Sequence, residues 1–314
     1  MSPAARAPES GSGPPKVAYL GPAGTFSEEA LRSSALPGSV EPVASATIYE
    51  TVLAVRHEAV RWAVVPIENS LDGTVTVTLD LLADEHGDLQ IVGEVPLAVR
   101  HSLIAAEQLA LREIDTVISH PKVPGQCSRF LRGELAHAQV LPASSTAEAV
   151  RLVSTTGTPG QAALGTRLAA EIYGGTVIRD GVQDRDDNVT RFVWLARTAG
   201  ARIAAPGPPD GSADERSLPP LRASTAGGGW KTSVVFWGPG ADSHGWLVRC
   251  LDEFAKRSIN LTKIESRPQR ATLGHYMFFV DLQGSTRESA VAEAVAGLSA
   301  VCEQVRVLGS YPTG

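Results

Sequence analysis

Residues 17–31 read Val17-Ala18-Tyr19-Leu20-Gly21-Pro22-Ala23-Gly24-Thr25-Phe26-Ser27-Glu28-Glu29-Ala30-Leu31, a short apolar strand joined to a glycine turn and a helix start. The glycines permit a tight turn, and Thr25 and Glu28 have the spacing of a capping box that opens a helix. Unpaired backbone N–H groups at such a helix start are suited to an anion. The segment lacks the Gly-Lys-Ser/Thr of a P-loop and the Gly-x-Gly-x-x-Gly of a dinucleotide fold, which disfavours nucleotide binding.

The same alternation of strand and helix continues to residue 173. Apolar periodicity predicts strands at 62–67, 91–99, 117–119, 140–142 and 162–165. It predicts helices at 44–58, 74–83, 124–132, 146–154 and 166–173. This order indicates α/β sheets with mainly parallel strands, which bind their ligands beyond the carboxyl ends of the strands.

Polar clusters stand where three of these strands end. They are Glu68-Asn69-Ser70, Ser119-His120-Pro121 and Ser144-Ser145-Thr146. Because the carboxyl ends of parallel strands share one edge of a sheet, these clusters predict a ligand site at that edge.

The chain changes character after residue 197. Residues 198–229 are rich in proline, glycine and serine and are predicted to be a linker, and residues 1–15 are predicted to be a disordered tail. Beyond the linker the predicted order is strand, helix, strand, strand, helix, strand, at 233–236, 243–257, 261–266, 273–281, 287–300 and 305–309. This βαββαβ order is typical of a ferredoxin-like domain.

Composition narrows the functional classes. The 314 residues carry a net charge of −6 and are 43% hydrophobic, which suits two domains with separate cores. The acidic balance argues against a nucleic-acid partner. The N-terminus has no apolar signal-peptide core, and no stretch approaches the roughly 20 apolar residues of a membrane span. We therefore expect a cytoplasmic protein without a membrane partner.

The cysteines and histidines predict no metal and no disulfide framework. Cys127, Cys250 and Cys302 are scattered and odd in number, and the seven histidines form no His-x-x-x-His pair. Reduced thiols are the expected state of the cysteines.

Five motifs, in this order along the chain, together resemble the prephenate dehydratase family. They are Tyr19-Leu20-Gly21-Pro22-x-Gly24-Thr25-Phe26-Ser27, Val65-Pro66-Ile67-Glu68-Asn69-Ser70-x-x-Gly73, Ser119-His120-Pro121 followed by Gln126-Cys127, Asn188-Val189-Thr190-Arg191-Phe192, and Asn260-Leu261-Thr262-Lys263-Ile264-Glu265-Ser266-Arg267-Pro268. The resemblance implies a two-lobed, periplasmic-binding-protein-like α/β catalytic domain at 16–197. It also implies a ferredoxin-like ACT regulatory domain (α+β) at 230–310.

The resemblance implies a reaction and a donor for it. The family removes carbon dioxide and hydroxide from prephenate, and the aromatic ring that results supplies the driving force, so no cofactor or metal is expected. Thr190 is expected to donate to the departing hydroxyl, a role in which a positioned donor contributes about 10²–10⁴ in rate. Arg191 is expected to pair with a substrate carboxylate through its planar fork.

The resemblance also assigns supporting roles to the other motifs. Glu68 is expected to orient Asn69, and Phe192 to pack against the substrate ring or the core. The helix start at Gly24 and Thr25 is expected to bind a carboxylate. The remaining polar contacts to the substrate are assigned to Asn69, Ser70, Ser119 and Gln126.

The ACT-like motif implies a phenylalanine effector. The residues assigned to it are Gly240, Ala241, Leu261, Glu265, Ser266 and Arg267. Family members usually have leucine where this chain has Asp242, which can cap the following helix but places a carboxylate beside the effector's apolar side chain. We therefore expect phenylalanine binding to be weakened. Ser258 stands where glycine is common, and Lys122 where glutamine is common.

Several alternatives stay open at this point. The substrate could be arogenate instead of prephenate, and a prephenate decarboxylase that does not aromatise is disfavoured by the retained Thr190-Arg191-Phe192. From another class, two lobes around a cleft with an appended ACT domain would also suit a non-catalytic amino-acid sensor. A homo-oligomer is expected, either a homodimer or a homotetramer.

Overall fold

The computed structural model describes residues 13–84, 87–198, 218–222, 228–239, 243–269 and 274–314. The predicted tail lies almost wholly outside these residues, as do most of the predicted linker and the loop residues Gly240, Ala241 and Asp242. The described residues form two α/β lobes and a C-terminal unit with its own sheet.

The first lobe contains a six-stranded mixed sheet. Its elements are β1 (Lys16–Leu20), α1 (Phe26–Ser34), β2 (Glu41–Ser45), α2 (Ile48–Arg56), β3 (Trp62–Asn69), β4 (Gly73–Thr74), α3 (Thr76–Leu82), β5 (Leu89–Ala98) and β11 (Val189–Arg197). The strand order is β2-β1-β3-β11-β5, and β4 pairs with β3. Strand β1 is parallel to β2 and β3, whereas β11 is antiparallel to β3 and β5.

The second lobe contains a five-stranded mixed sheet. Its elements are β6 (Ser102–Ala105), β7 (Thr116–Ser119), α4 (Val123–Gln126), α5 (Ser128–Glu134), β8 (Gln139–Pro142), α6 (Thr146–Thr156), β9 (Gln161–Gly165), α7 (Arg167–Tyr173) and β10 (Thr176–Arg179). The strand order is β10-β6-β9-β7-β8. Here β7 is parallel to β8 and β9, and β6 is antiparallel to β9 and β10.

The α/β prediction is confirmed, but the prediction of mainly parallel strands is wrong. The chain crosses between the lobes twice, from β5 to β6 and from β10 to β11, and the strands beside the crossings pair antiparallel. The two crossing segments run side by side. Val99 donates its backbone N–H to Asn188 O at 2.8 Å, and Val182 donates to His101 O at 2.9 Å.

Local sequence signals set the ends of α6 and α7. The side chains of Ser145 and Thr166 accept backbone N–H bonds at the helix starts, and Gly157 and Gly174 end the helices at φ 58° and 74°, where glycine is favoured. Helix α1 differs, because the Thr25 hydroxyl donates to a preceding carbonyl and caps nothing. The predicted capping box is therefore wrong.

The C-terminal unit has the predicted βαββαβ order. Its elements are β12 (Trp230–Trp237), α8 (Trp246–Ala255), β13 (Leu261–Pro268), β14 (Tyr276–Gln283), α9 (Ser289–Val301) and β15 (Gln304–Pro312). The antiparallel sheet has the order β13-β14-β12-β15, so the ferredoxin-like prediction is confirmed. Within the described ranges, no helix is both long and apolar enough to cross a bilayer.

The C-terminal unit shares a core with the first lobe. One face of its sheet is covered by α8 and α9. From the other face, Phe279, Leu308 and Tyr311 join a cluster that includes Ile91 of β5. The backbones approach so closely that a Cβ added to Gly309 would lie 2.1 Å from Ile91 O. Burial of each large apolar side chain stabilises this docking by about 1.5–3 kcal/mol.

Candidate active site

The first lobe brings Asn69 and Thr190 together. Asn69 ends β3, Thr190 lies near the start of β11, and the antiparallel register sets them directly opposite each other. The Asn69 Nδ2 atom donates to Thr190 Oγ1 at 2.9 Å. Two residues 121 positions apart in sequence, both predicted to belong to the site, are thus hydrogen-bonded.

The Asn69 amide is fully occupied and therefore fixed. Its Oδ1 accepts the backbone N–H groups of Leu71 and Asp72, both at 2.9 Å. Its Nδ2 donates to Asn188 Oδ1 at 2.8 Å as well as to Thr190. Two backbone donors can meet only the amide oxygen, which settles the orientation of the side chain. Since Thr190 Oγ1 accepts from Asn69, its own O–H is left to donate.

Ser70 ties the turn after β3 to the start of β11. Its backbone N–H donates to Val189 O at 2.9 Å, and its hydroxyl accepts from Val189 N at 3.0 Å. The same hydroxyl donates to Asp187 O at 3.1 Å. Ser70 therefore holds the turn that carries Asn69.

The second lobe places Ser119 and Gln126 beside the crossing segments. Ser119 is buried at the end of β7, and its hydroxyl donates to Leu164 O at 3.4 Å. Gln126 Oε1 lies 3.0 Å from His101 Nε2. Burial lowers the pKa of His101, against the opposing effect of the Gln126 hydrogen bond, which favours a neutral ring at this junction. The His101 ring makes a T-shaped contact with Phe26 of the first lobe, with 5.5 Å between ring centroids.

An ion pair joins the two lobes near this site. Lys122, between β7 and α4, has its Nζ 3.0 Å from Asp72 Oδ2 in the turn after β3. Both side chains are exposed, at 67% and 46% of their surface. A cation from the second lobe is thus held next to the turn that carries Asn69.

Gly24 forms a contact between the lobes, whereas the Thr25 hydroxyl bonds Leu20 O within the first lobe. The Gly24 carbonyl accepts from Thr166 Oγ1 at 2.7 Å, and a Cβ on Gly24 would lie 2.7 Å from Ala169 Cα. The Gly24 N–H donates to Glu28 Oε2 at 2.6 Å. A carboxylate of the protein already occupies this helix start. The structure therefore gives no support to the expectation that Gly24 and Thr25 bind a substrate carboxylate.

Arg191 does not lie with Thr190. Successive residues of a strand point to opposite faces, so Arg191 faces the C-terminal unit. Its guanidinium bonds Asp281 at 2.6 Å and Glu68 and Glu94 at 3.2 Å each, with 13% of the side chain exposed. Burial alone would lower the pKa of Arg191, but the neighbouring carboxylates outweigh it and raise the pKa. The expected pairings of Arg191 with substrate and of Glu68 with Asn69 are both replaced by this cluster.

Further charges complete the cluster, which we call the Arg191 network. Lys231 lies 2.8 Å from Glu94, and Lys263 lies 3.3 Å from Glu68. Ser233 donates to Asp281 Oδ1 at 2.5 Å. The network, made up of Arg191, Lys231, Lys263, Glu68, Glu94 and Asp281, contains three cations and three carboxylates. It spans the boundary between the first lobe and the C-terminal unit.

The residues assigned to the effector site divide between the two faces of β13. Glu265 accepts from Thr74 Oγ1 at 3.0 Å, and Arg267 bonds both oxygens of Asp80 at 3.0–3.1 Å, so these two face the first lobe. Leu261 packs into the core under α8 and α9. Ser266 alternates with Glu265 and Arg267 and points away from the first lobe.

The remaining residues either point away from the Asn69–Thr190 pair or were not predicted. Phe192 is 2% exposed in the core of the first lobe and is not available to a substrate. The structure adds Asn188, which belongs to one of the five motifs but had no assigned role, and His101, which belongs to none of them. Among the described residues, no group of three or more His, Cys, Asp or Glu side chains is arranged for a metal ion.

Comparison with known proteins finds a family model, a relative and two solved structures that the chain resembles. The family model described as prephenate dehydratase matches residues 17–200. Prephenate dehydratase of Mycobacterium sp. (strain KMS) is 39% identical over 310 residues, 96% of this chain and 90% of that protein. Prephenate dehydratase of Arthrobacter aurescens, solved in complex with L-Phe, has a TM-score of 0.77 and 32% identity, covering 94% of this chain and 89% of that one. A structure described as GqqA, a novel type of quorum-quenching acylase, has a TM-score of 0.78 and 27% identity, covering 95% and 98%.

Replacement of Arg191 by an uncharged residue should strongly lower the free energy of unfolding. Arg191→Met leaves three carboxylates with two lysines, so the free energy of unfolding should fall by roughly 3–5 kcal/mol, as for other broken buried ion pairs. The free energy of unfolding is measured by urea denaturation that is monitored with circular dichroism. The matched control is Arg185→Met, whose pair with Asp187 is exposed and should be worth less than about 1 kcal/mol. Equal losses in the two variants would contradict a structural role for the network.

Proposed function

The chain belongs to the prephenate dehydratase family and is a carbon–oxygen lyase, and we propose that Thr190 and Asn69 form the centre of its active site. The reaction converts prephenate to phenylpyruvate with loss of carbon dioxide and the ring hydroxyl. The observation that carries the proposal is the 2.9 Å hydrogen bond from Asn69 Nδ2 to Thr190 Oγ1 beside the junction of the lobes.

The reaction needs a hydrogen-bond donor at the leaving oxygen. The bond from the ring to the carboxylate breaks, and its electron pair enters the ring as carbon dioxide leaves. The bond from the ring to the hydroxyl breaks at the opposite carbon, and one proton turns the departing hydroxide into water. The Thr190 hydroxyl donates to that oxygen as its negative charge develops, which is where a fixed donor lowers a barrier most.

Asn69 makes Thr190 an oriented donor. Because Asn69 donates to Thr190 Oγ1, the threonine proton points away from the amide, and the leaving oxygen of the substrate is proposed to lie on that side. Asn69 is itself held by two backbone N–H groups and by Asn188, so little reorganisation is needed during the reaction. Thr190 is the catalytic residue in this proposal, and Asn69 and Asn188 are positioning residues.

Substitutions at Thr190 separate the hydroxyl from the shape of the side chain. Thr190→Val keeps the branched shape and removes the hydroxyl, so kcat should fall at least tenfold, within the roughly 10²–10⁴ of acid catalysis. Thr190→Ser keeps the hydroxyl and should retain most of the activity. Turnover is measured by the absorbance of phenylpyruvate in alkali, with melting temperature as a check on folding. Near-normal turnover in a folded Thr190→Val variant would remove Thr190 from the mechanism.

Lys122 is proposed as a cation for the dianionic substrate. Its Nζ is bonded to Asp72 at 3.0 Å across the lobes, and both groups are exposed, so exchange of Asp72 for a substrate carboxylate costs little. Arg191, the cation expected from sequence, is committed to the Arg191 network. Lys122 is therefore proposed to bind a substrate carboxylate in its stead.

Lys122→Met should therefore weaken substrate binding more than turnover. We expect KM for prephenate to rise about tenfold, the equivalent of one charge-assisted hydrogen bond, with kcat changed less than threefold. Asp72→Asn should lower KM, because Lys122 is then free of its partner. The control is Lys256→Met, which removes an exposed cation that directly follows α8 in the C-terminal unit. An unchanged KM in Lys122→Met would exclude Lys122 from the substrate site.

One alternative, arogenate as the substrate, remains to be distinguished by assay. The non-catalytic sensor is set aside, because the chain belongs to an enzyme family. The likeness to a described acylase shows that the fold alone does not select a reaction. We propose prephenate as the substrate because the curated relatives are prephenate dehydratases, and parallel assays with arogenate test that preference.

The C-terminal unit is proposed to act as an ACT domain with a phenylalanine effector. A cavity of about 390 Å³ lies on its helix side, lined by Trp246, Leu247, Tyr276 and Phe278 among others. Aromatic and aliphatic walls of this size suit an aromatic amino-acid side chain. The Arthrobacter aurescens protein was solved with L-Phe, which supports the same class of ligand here.

A route from β13 to the catalytic pair supports a regulatory role. On the face of β13 toward the first lobe, Lys263 is bonded to Glu68 and to Thr74. Glu68 is bonded to Arg191, which is adjacent to Thr190 in β11. A shift of β13 on ligand binding would thus reach the catalytic strand through direct contacts.

Phenylalanine binding should be present but weakened by Asp242. Isothermal titration is expected to show binding to the wild type that becomes at least threefold tighter in Asp242→Leu, because a carboxylate beside an apolar side chain is unfavourable. Tyr276→Ala, which removes a wall of the cavity, should weaken binding instead. Tighter binding by the wild type than by Asp242→Leu would refute the effect assigned to Asp242.

We also propose a cytoplasmic homo-oligomer, a homodimer or a homotetramer. Strand β13 is an edge of its sheet, and Ile264 on it is 50% exposed. Val248 on α8 is 69% exposed. Unpaired edge strands with exposed apolar side chains are common sites of self-association.

A further inference from the structure

Two cysteines of the C-terminal unit lie in contact. Cys250 is on α8 and Cys302 directly follows α9, 52 residues later, with their Sγ atoms 3.5 Å apart. Cys250 is fully buried, and Cys302 is partly exposed. Their separation is that of a thiol hydrogen bond, and the two cysteines are not joined by a disulfide in this structure. A disulfide has an S–S distance of about 2.05 Å, which requires the sulfurs to approach by about 1.5 Å.

Hydrogen bonds around the two thiols fix the positions of α8 and α9 relative to each other. The Trp246 indole, one turn before Cys250 on α8, donates to Val301 O at 2.6 Å. The Cys302 N–H donates to Leu298 O at 2.9 Å and closes the last turn of α9. Both helix ends are thus fixed to each other around the pair. The approach of the sulfurs then needs side-chain rotation and a small shift of the helices, without rearrangement of the fold.

The third cysteine provides a contrast. Cys127 is fully buried in the core of the second lobe, in a cluster without a second cysteine. Burial, with a smaller effect from Asp184, raises the pKa of the Cys127 thiol to about 12. The hydrogen bond from Cys302 instead stabilises the Cys250 thiolate and lowers the pKa of Cys250. Thiolates are the reactive form, so the two environments differ in reactivity as well as in partners.

We propose that Cys250 and Cys302 are a reversible redox modification site that forms an intramolecular disulfide between α8 and α9. With a hydroperoxide as oxidant, one sulfur attacks a peroxide oxygen, the O–O bond breaks, and a sulfenic acid and a water or alcohol result. The second sulfur attacks the sulfenic sulfur and expels hydroxide, which leaves as water with the second thiol proton. The two thiols lose two electrons in total and the peroxide gains them. A dithiol reductant reverses the change.

The site adjoins the 390 Å³ cavity of the same unit. Trp246 and Leu247 line that cavity and lie one turn before Cys250 on α8. A disulfide would fix this part of α8 to the end of α9. Ligand binding in the cavity should then depend on the redox state of the pair, a consequence that rests on the effector role proposed above.

Thiol counting on the full-length protein tests the disulfide itself. Reduced protein, denatured in excess N-ethylmaleimide, should show three alkylated cysteines by intact mass. After exposure of the folded protein to hydrogen peroxide, most molecules should show one, and peptide mapping should assign it to Cys127 and find a Cys250–Cys302 crosslink. Dithiothreitol should restore three. Glutathione disulfide as a second oxidant should give the same crosslink by thiol–disulfide exchange.

Two variants make the outcome specific. Cys302→Ser and Cys250→Ala should each retain two alkylatable cysteines after the same treatment. Three alkylated cysteines in treated wild type, or a disulfide that involves Cys127 or a second chain, would overturn the proposal.

The regulatory consequence has a separate readout. Titration should show phenylalanine binding at least threefold weaker in oxidised than in reduced wild type, and equal in treated and untreated Cys302→Ser. Equal affinity in the two states of the wild type, with the crosslink present, would overturn the link to the cavity. Absence of phenylalanine binding in reduced protein would instead count against the proposed effector, since the thiol count does not depend on it.

Discussion

The antiparallel register between β3 and β11 determines where the candidate active site and the Arg191 network lie. It sets Asn69 opposite Thr190 and Glu68 opposite Arg191. Because side chains alternate along a strand, one pair faces the junction of the lobes and the other faces the C-terminal unit. The register shifts just beyond, between Arg191 and Phe192. A slip of one residue would exchange the two faces and destroy both clusters at once.

Local patterns predicted the secondary-structure elements, and they also contained most of the residues that meet at the candidate site of the first lobe. Apolar periodicity located the helices and the buried strands, and the quoted motifs contained Asn69 and Thr190. The pairing of β11 could not be found in this way, since its partners lie about 90 to 135 residues earlier and periodicity says nothing about strand direction. The prediction of mainly parallel strands, which rested on the alternation of strands and helices, was wrong for the same reason.

Side-chain partners were the least predictable feature. A strand residue next to a catalytic candidate is naturally read as a substrate contact, yet Arg191 meets Asp281 of another unit, 90 residues away. The helix start at Gly24 has the composition of an anion site, but Glu28 fills it from within the chain. In both cases a carboxylate of the protein occupies the position where the sequence predicts a ligand. Such competition depends on the tertiary structure alone.

The Arg191 network links the orientation of the C-terminal unit to the strand that carries Thr190. Buried ion pairs often add little net stability, because desolvation offsets their attraction. With three cations and three carboxylates, however, a displaced orientation of the unit would leave at least one buried charge without a partner. The apolar contacts around Phe279 and Tyr311 would tolerate a small sliding of the C-terminal unit along the first lobe, whereas the ion pairs would not. The network therefore selects one orientation, and it does so through the residue that follows Thr190 in the chain.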